Sequence, residues 1–234
     1  MAAAKTPQKS KFSKKDIKDI SLTPHQKEYS DLIQGNTVTF CFGPAGTSKT
    51  FGACFTALQL LAKGEVKKII LTKPIQESGE KLGSLPGDVN EKISPFIESF
   101  LITFEKMISK EKLGQLIFDD VIEFKPLAYM RGATFDDTLM VLDEAQNCDM
   151  KQLMLYISRL GEGSKAVIAG DVTQHDIAYD KVALPKFIEI MGGIESLACY
   201  RFTDEDIVRS SILKEIVRRY EEWKYTQKPG KTNI

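Results

Sequence analysis

Gly43-Pro44-Ala45-Gly46-Thr47-Ser48-Lys49-Thr50 differs at one position from the phosphate-binding loop GxxxxGK[ST]. In such a loop the backbone N–H groups from Gly43 to Lys49 converge on phosphate oxygens. Lys49 reaches the β- and γ-phosphates, and the Thr50 hydroxyl ligates Mg²⁺. The departure is Ser48, where the pattern has glycine. Serine is the smallest polar replacement, and at a helix start its hydroxyl is expected to hydrogen-bond exposed N–H groups. Val38-Thr39-Phe40-Cys41-Phe42 ahead of the loop is β-branched and aromatic, and Phe51 to Ala62 behind it is apolar and free of proline. Strand, glycine-rich loop and helix is the context the motif needs, with phosphate at the helix N-terminus.

Outward from the loop, strands and helices alternate. Lys67 to Thr72 reads as a strand, Gly79 to Asp88 as a loop punctuated by glycine and proline, and Val89 to Ser109 as a helix. Val121 to Phe124 is a short strand. Thr138 to Leu142 and Lys165 to Gly170 are apolar enough to be buried on both faces of a parallel sheet. Cys148-Asp149 can cap a helix running to about residue 160, and Val182 to Met191 forms another. The expected fold is α/β, a mainly parallel sheet covered by helices on both faces. Ligands of such sheets bind at the carboxyl ends of the strands.

Leu142 is followed by Asp143 and Glu144, the form of a Walker B motif. A carboxylate at Asp143 can hold Mg²⁺ directly or through water, and Glu144 is placed to orient or deprotonate an attacking water. Asp171-Val172-Thr173-Gln174 ends the next strand, where Gln174 or Asp171 can sense a γ-phosphate; a plain Gly170-Asp171 turn explains the string equally. The Gln26 amide can pair with N6 and N7 of adenine, and no guanine-reading Asn/Thr-Lys-x-Asp string is present, so adenine is favoured.

The 234 residues are 42% hydrophobic, enough for one sizeable core, and the formal net charge is zero. Any nucleic-acid site must therefore be local. Six lysines among polar residues up to Lys18 suggest a flexible basic arm over residues 1–20, either a phosphate contact or a solubilising tail; residues 227–234 are expected to be disordered. Between them lies one domain, residues 21–226. No apolar run approaches the roughly 20 residues of a membrane span. Cys41, Cys54, Cys148 and Cys199 are widely spaced, as in a reduced cytoplasmic protein.

Taken in order, several strings resemble the PhoH-like ATPases. They are Thr23-Pro24-His25-Gln26, the loop from Gly43 to Thr50, Leu71-Thr72-Lys73-Pro74, and Gly79 to Asp88. Pro126 to Gly132, Leu142 to Asn147, Arg159-Leu160-Gly161, Gly170 to Gln174, Arg201-Phe202-Thr203 and Asp206 to Arg209 continue the match. The resemblance implies a RecA-like P-loop domain that binds ATP and Mg²⁺, a link to RNA metabolism, and hexameric rings. In a ring, Arg209 or, second, Arg131 would be the arginine supplied to a neighbour's phosphate site. Ser48 and Ser210-Ser211 depart from the family pattern near the expected phosphate contacts, so the resemblance implies binding more directly than hydrolysis. The altered loop is similar to versions carried by bacteriophages. Tyr129-Met130-Arg131 suits stacking on single-stranded nucleic acid, with a packed tyrosine as the alternative. The expected activity is Mg²⁺-dependent ATP hydrolysis, and the rival is a nucleotide-dependent oligomeric scaffold with little turnover.

Overall fold

The computed structural model describes residues 12–74, 89–171 and 183–207, of 89–96 the backbone alone, and residues 212, 215, 216, 218–220 and 223. Six strands form one sheet: β1 (Val38–Phe42), β2 (Lys68–Thr72), β3 (Ile122–Phe124), β4 (Thr138–Leu142), β5 (Lys165–Gly170) and β6 (Leu197–Arg201). Their order is β3-β2-β4-β5-β1-β6, and every pairing is parallel. Side chains alternate across the pleat. Cys41, Ile69, Leu71, Val141 and Val167 face α1 (Pro24–Gly35), α2 (Lys49–Lys63), α3 (Val89–Glu105) and α4 (Lys110–Phe118). Phe40, Ile70, Met140, Leu142 and Ile168 face α5 (Met150–Ile157) and α6 (Leu184–Ile190). Central strands covered on both faces have no polar side, which is why Thr138–Leu142 is buried at every position.

Three elements escape the periodicity reading. In α1, Thr23 caps the helix and Gln26 returns the bond: Gln26 N donates to Thr23 Oγ1 at 3.2 Å, and Thr23 N to Gln26 Oε1 at 3.0 Å. Thr-Pro-His-Gln is thus a capping box with proline in the first turn, a signal legible in the sequence. The helix expected to reach Ser109 stops at Glu105, because Ser109 accepts from Lys112 N and starts α4. Edge strand β6 has no counterpart in the sequence pattern; Tyr200 is its one buried residue, so it lacks a clear alternation. Residues 12–20, expected to belong to the basic arm, instead have Phe12, Ile17 and Ile20 packed on the α1–α4 core. Lys18 N also donates to Met107 O at 2.7 Å. Apolar burial by these three side chains outweighs the polar composition around them.

The register brings the functional strand ends level. Phe42 pairs with Gly170 and with Arg201, and Thr72 pairs with Leu142. The carboxyl ends of β1, β2, β4, β5 and β6 therefore lie along one edge. The first turn of α2 is held against α1 by Gly52, where an added Cβ would lie 2.9 Å from Cδ1 of the fully buried Tyr29 ring. Helix propensity alone favours alanine there by roughly 0.5–1 kcal/mol, but overpacking a rigid ring costs about 1–3 kcal/mol. Gly52→Ala is therefore expected to destabilise the protein by about 1–2 kcal/mol in urea denaturation; a stabilised variant would show that α1 and α2 are loosely packed.

Candidate nucleotide-binding site

The loop between β1 and α2 is shaped by its own contacts. Gly43 lies so close to the next strand end that a Cβ would sit 2.6 Å from Phe202 O. Thr47 is buried and donates to Pro44 O at 2.8 Å, and Gly46 adopts φ 86°. Ser48 holds φ 68° and ψ 27°, in the left-handed region that only glycine enters freely. The hydroxyl cap expected of Ser48 does not form, since the side chain makes no capping hydrogen bond. N-cap bonding needs extended backbone, and the left-handed turn carries the serine Cβ away from that geometry. Lys49 turns inward, donating to Gly43 O at 2.6 Å and Pro44 O at 2.8 Å, so its ammonium lies within the loop.

Thr50 Oγ1 donates to Asp143 Oδ1 at 2.9 Å, although β5 separates their strands in the sheet. Asp143 is only 4% exposed. Its other oxygen, Oδ2, lies 3.1 Å from Lys73 Nζ, a partner from just after β2 whose string in the sequence carried no chemical reading. Glu144 takes left-handed angles (φ 56°, ψ 36°), which turn the chain sharply after β4. Its Oε2 accepts from Gln146 Nε2 at 2.6 Å, and Gln146 Oε1 accepts from Asp171 N at 2.9 Å. Buried Gln146 thus ties the second acid of the Walker B pair to the end of β5. The clue was its position two residues after Glu144, within reach on a tight turn.

These groups share one cavity of about 650 Å³, within the range of small-molecule sites. Ala45, Gly46, Ser48, Lys49, Thr50, Asp143, Glu144 and Asp171 line it with Lys73 and Gln146, and Ser99, Ile102, Thr103 and Lys106 of α3 and its C-terminal end form the far wall. Thr50 and Asp143 present adjacent hard oxygens suited to Mg²⁺. No group of three or more His, Cys, Asp or Glu gathers among the described residues, so a metal here would complete its shell with phosphate oxygens and water. Gln26 is not part of this cavity; it is buried with its carbonyl in the α1 cap. A second hollow of about 380 Å³ beside it is lined by Thr23, Pro24, His25 and Asp206. His25 hydrogen-bonds Asp206, whose carboxylate raises the imidazole above its usual value. Gln174, Arg209, Ser210 and Ser211 lie outside the described residues.

The cysteines are free; Cys41, Cys54 and Cys148 are buried and Cys199 is exposed. Burial pushes the Cys41 thiol, under the loop, up to about 12, so it is inert as a nucleophile. Tyr129 is 62% exposed, not packed, and Arg131 beside it is also exposed. No helix among the described residues is long and apolar enough to cross a membrane.

Sheet order, loop and paired acids define a RecA-like P-loop NTPase domain of α/β class. A family profile described as PhoH-like protein matches residues 19–221, and the chain belongs to that family. A PhoH-like protein of Synechocystis sp. is 41% identical over 209 residues, which is 89% of this chain and 64% of that protein. One of Mycobacterium tuberculosis is 43% identical over 204 residues, 86% of this chain and 58% of that protein. The chain thus spans roughly three-fifths of the length of these curated relatives. The large terminase of a thermophilic bacteriophage shares the fold with a TM-score of 0.52 at 12% identity, covering 86% of this chain and 50% of that one.

Replacing Ser48 by glycine removes a left-handed penalty of about 1–2 kcal/mol and adds unfolded-state entropy of roughly 0.5–1 kcal/mol. Ser48→Gly should stabilise the nucleotide-free protein by about 0.5–1 kcal/mol, read from denaturation midpoints. A lower midpoint would mean that the serine side chain is held in a favourable contact.

Proposed function

We propose that this chain binds Mg·ATP and hydrolyses its β–γ anhydride. The observation that carries the reading is the Thr50–Asp143 hydrogen bond, which closes the phosphate loop onto the Walker B strand. In this reading the loop amides and Lys49 hold the phosphates, and Lys49 leaves the Gly43 and Pro44 carbonyls to do so. Mg²⁺, held by Thr50 and Asp143, would neutralise charge developing on the phosphates. Glu144 orients the attacking water from the turn after β4, and Gln146 fixes its carboxylate. Gln174, with Asp171, is the residue assigned to sensing the γ-phosphate. Gln26 is the residue assigned to adenine, its amide N–H₂ and Oε1 offering the donor and acceptor that N7 and N6 require.

Assembly into a homo-oligomeric ring, with Arg209 supplied across the interface, is part of the same reading, as is a cytoplasmic location. Coupling to RNA or another single-stranded nucleic acid is favoured by the exposed Tyr129 next to Arg131, because an aromatic face and a guanidinium suit an unpaired base and its phosphate. The rival, an ATP-binding scaffold with little turnover, is favoured by the non-glycine Ser48 in the loop.

Lys49→Ala should weaken ATP binding by more than tenfold, about 1.4 kcal/mol or more, in calorimetry; unchanged affinity would remove the site assignment. Glu144→Gln should keep ATP affinity within about threefold and cut phosphate release by roughly 10²-fold or more. If wild-type protein in an assembled state, with and without RNA, releases no phosphate above background, the scaffold reading replaces the ATPase.

A further inference from the structure

Lys73 has no part in the mechanism above, yet its ammonium lies inside the same cavity. Its side chain is 14% exposed. Nζ is 3.1 Å from Asp143 Oδ2, donates to Ser99 Oγ at 2.9 Å, and lies 4.8 Å from the centre of the Phe100 ring. The two oxygens of Asp143 are therefore divided, Oδ1 to the Thr50 hydroxyl and Oδ2 to Lys73. A carboxylate buried to this degree needs a compensating cation. Lys49, the cation of the phosphate loop, is turned to the Gly43 and Pro44 carbonyls instead. Lys73 supplies the charge.

We propose that Lys73 is an intrinsic counter-cation of Asp143 that competes with divalent metal for this carboxylate, so that metal binds well only when phosphate arrives to take up the lysine charge. The inference rests on the cavity being the Mg·ATP site. An ammonium and a divalent ion on one buried carboxylate repel each other strongly, because little solvent screens them. A polyphosphate reverses the balance, since it offers Lys73 new oxygens in the same cavity. Metal alone is thereby disfavoured, and metal with nucleotide is admitted. The same ammonium touches Ser99 and lies over Phe100, so its transfer also changes what α3 contacts.

The test is Mn²⁺ titration of the full chain without nucleotide, followed by the electron-spin signal of free Mn²⁺. Lys73→Met, which keeps the stem over Phe100, should bind Mn²⁺ at least tenfold more tightly than wild type. Lys73→Gln, which retains a donor for Ser99 without the charge, should do the same and serves if the methionine variant does not fold. Lys73→Arg should stay within about threefold of wild type. Adding Asp143→Asn to either neutral variant should abolish the gain, and saturating ADP should shrink it to less than threefold. Equal or weaker Mn²⁺ binding by the neutral variants overturns the proposal. If ADP binding still depends on Lys49 in that case, only the role of Lys73 fails and the nucleotide site stands; if ADP does not bind, the site reading fails first.

Discussion

A single buried carboxylate organises the carboxyl edge of this sheet. Asp143 can remain there only while its charge is met, and the two groups that meet it come from different elements: the Thr50 hydroxyl from the start of α2 and the Lys73 ammonium from the end of β2. Strand β4, which carries Asp143, lies beside β2 but is separated from β1 by β5. The carboxylate therefore spans the gap the topology leaves between the phosphate loop and the Walker B strand. The wall formed by α3 reaches the same point, because the Lys73 ammonium that pairs with Asp143 also donates to Ser99.

Much of the fold was legible because its central strands are buried on both faces. Val38–Phe42, Thr138–Leu142 and Lys165–Gly170 are short apolar runs whose ends coincide with glycine or acid, and the structure places them within a residue of where the runs fall. What escaped did so for separate local reasons. Edge strand β6 has a neighbouring strand on one side only and a single buried residue, and α1 has a polar composition that hides its periodicity, although its Thr-Pro-His-Gln capping box marks its start. The α3–α4 break depends on one serine accepting a backbone bond. Partial burial of Phe12, Ile17 and Ile20 in a lysine-rich stretch depends on three apolar residues that a compositional average dilutes.

The site was legible where a motif has a fixed mechanism, in the loop from Gly43 to Thr50 and in Asp143-Glu144. The candidate site was less legible where its geometry depends on long-range pairing. Lys73 and Gln146 stood in strings that carried the family resemblance but had no chemical reading of their own; only the folded strand ends show Lys73 on Asp143 and Gln146 between Glu144 and Asp171. Ser48 and Glu144 share another feature that sequence hides. Both are non-glycine residues with left-handed backbone, one at each side of the cavity. Asp120, Asp137 and Ser196 take such angles elsewhere, so left-handed backbone is shared by the cavity and by other turns, and each instance persists because surrounding contacts hold it.

That the cavity holds a nucleotide by its phosphates is tested most directly by amide hydrogen exchange across the whole chain, with and without saturating Mg·ADP. Phosphate oxygens bound at the head of α2 would accept from the loop amides, so exchange from Ala45 to Thr50 should slow by at least tenfold, with lesser protection at the ends of β2 and β4 near Lys73 and Asp143. Protection confined to any other surface, or unchanged exchange in the loop at a nucleotide concentration shown to saturate the protein, would contradict the account.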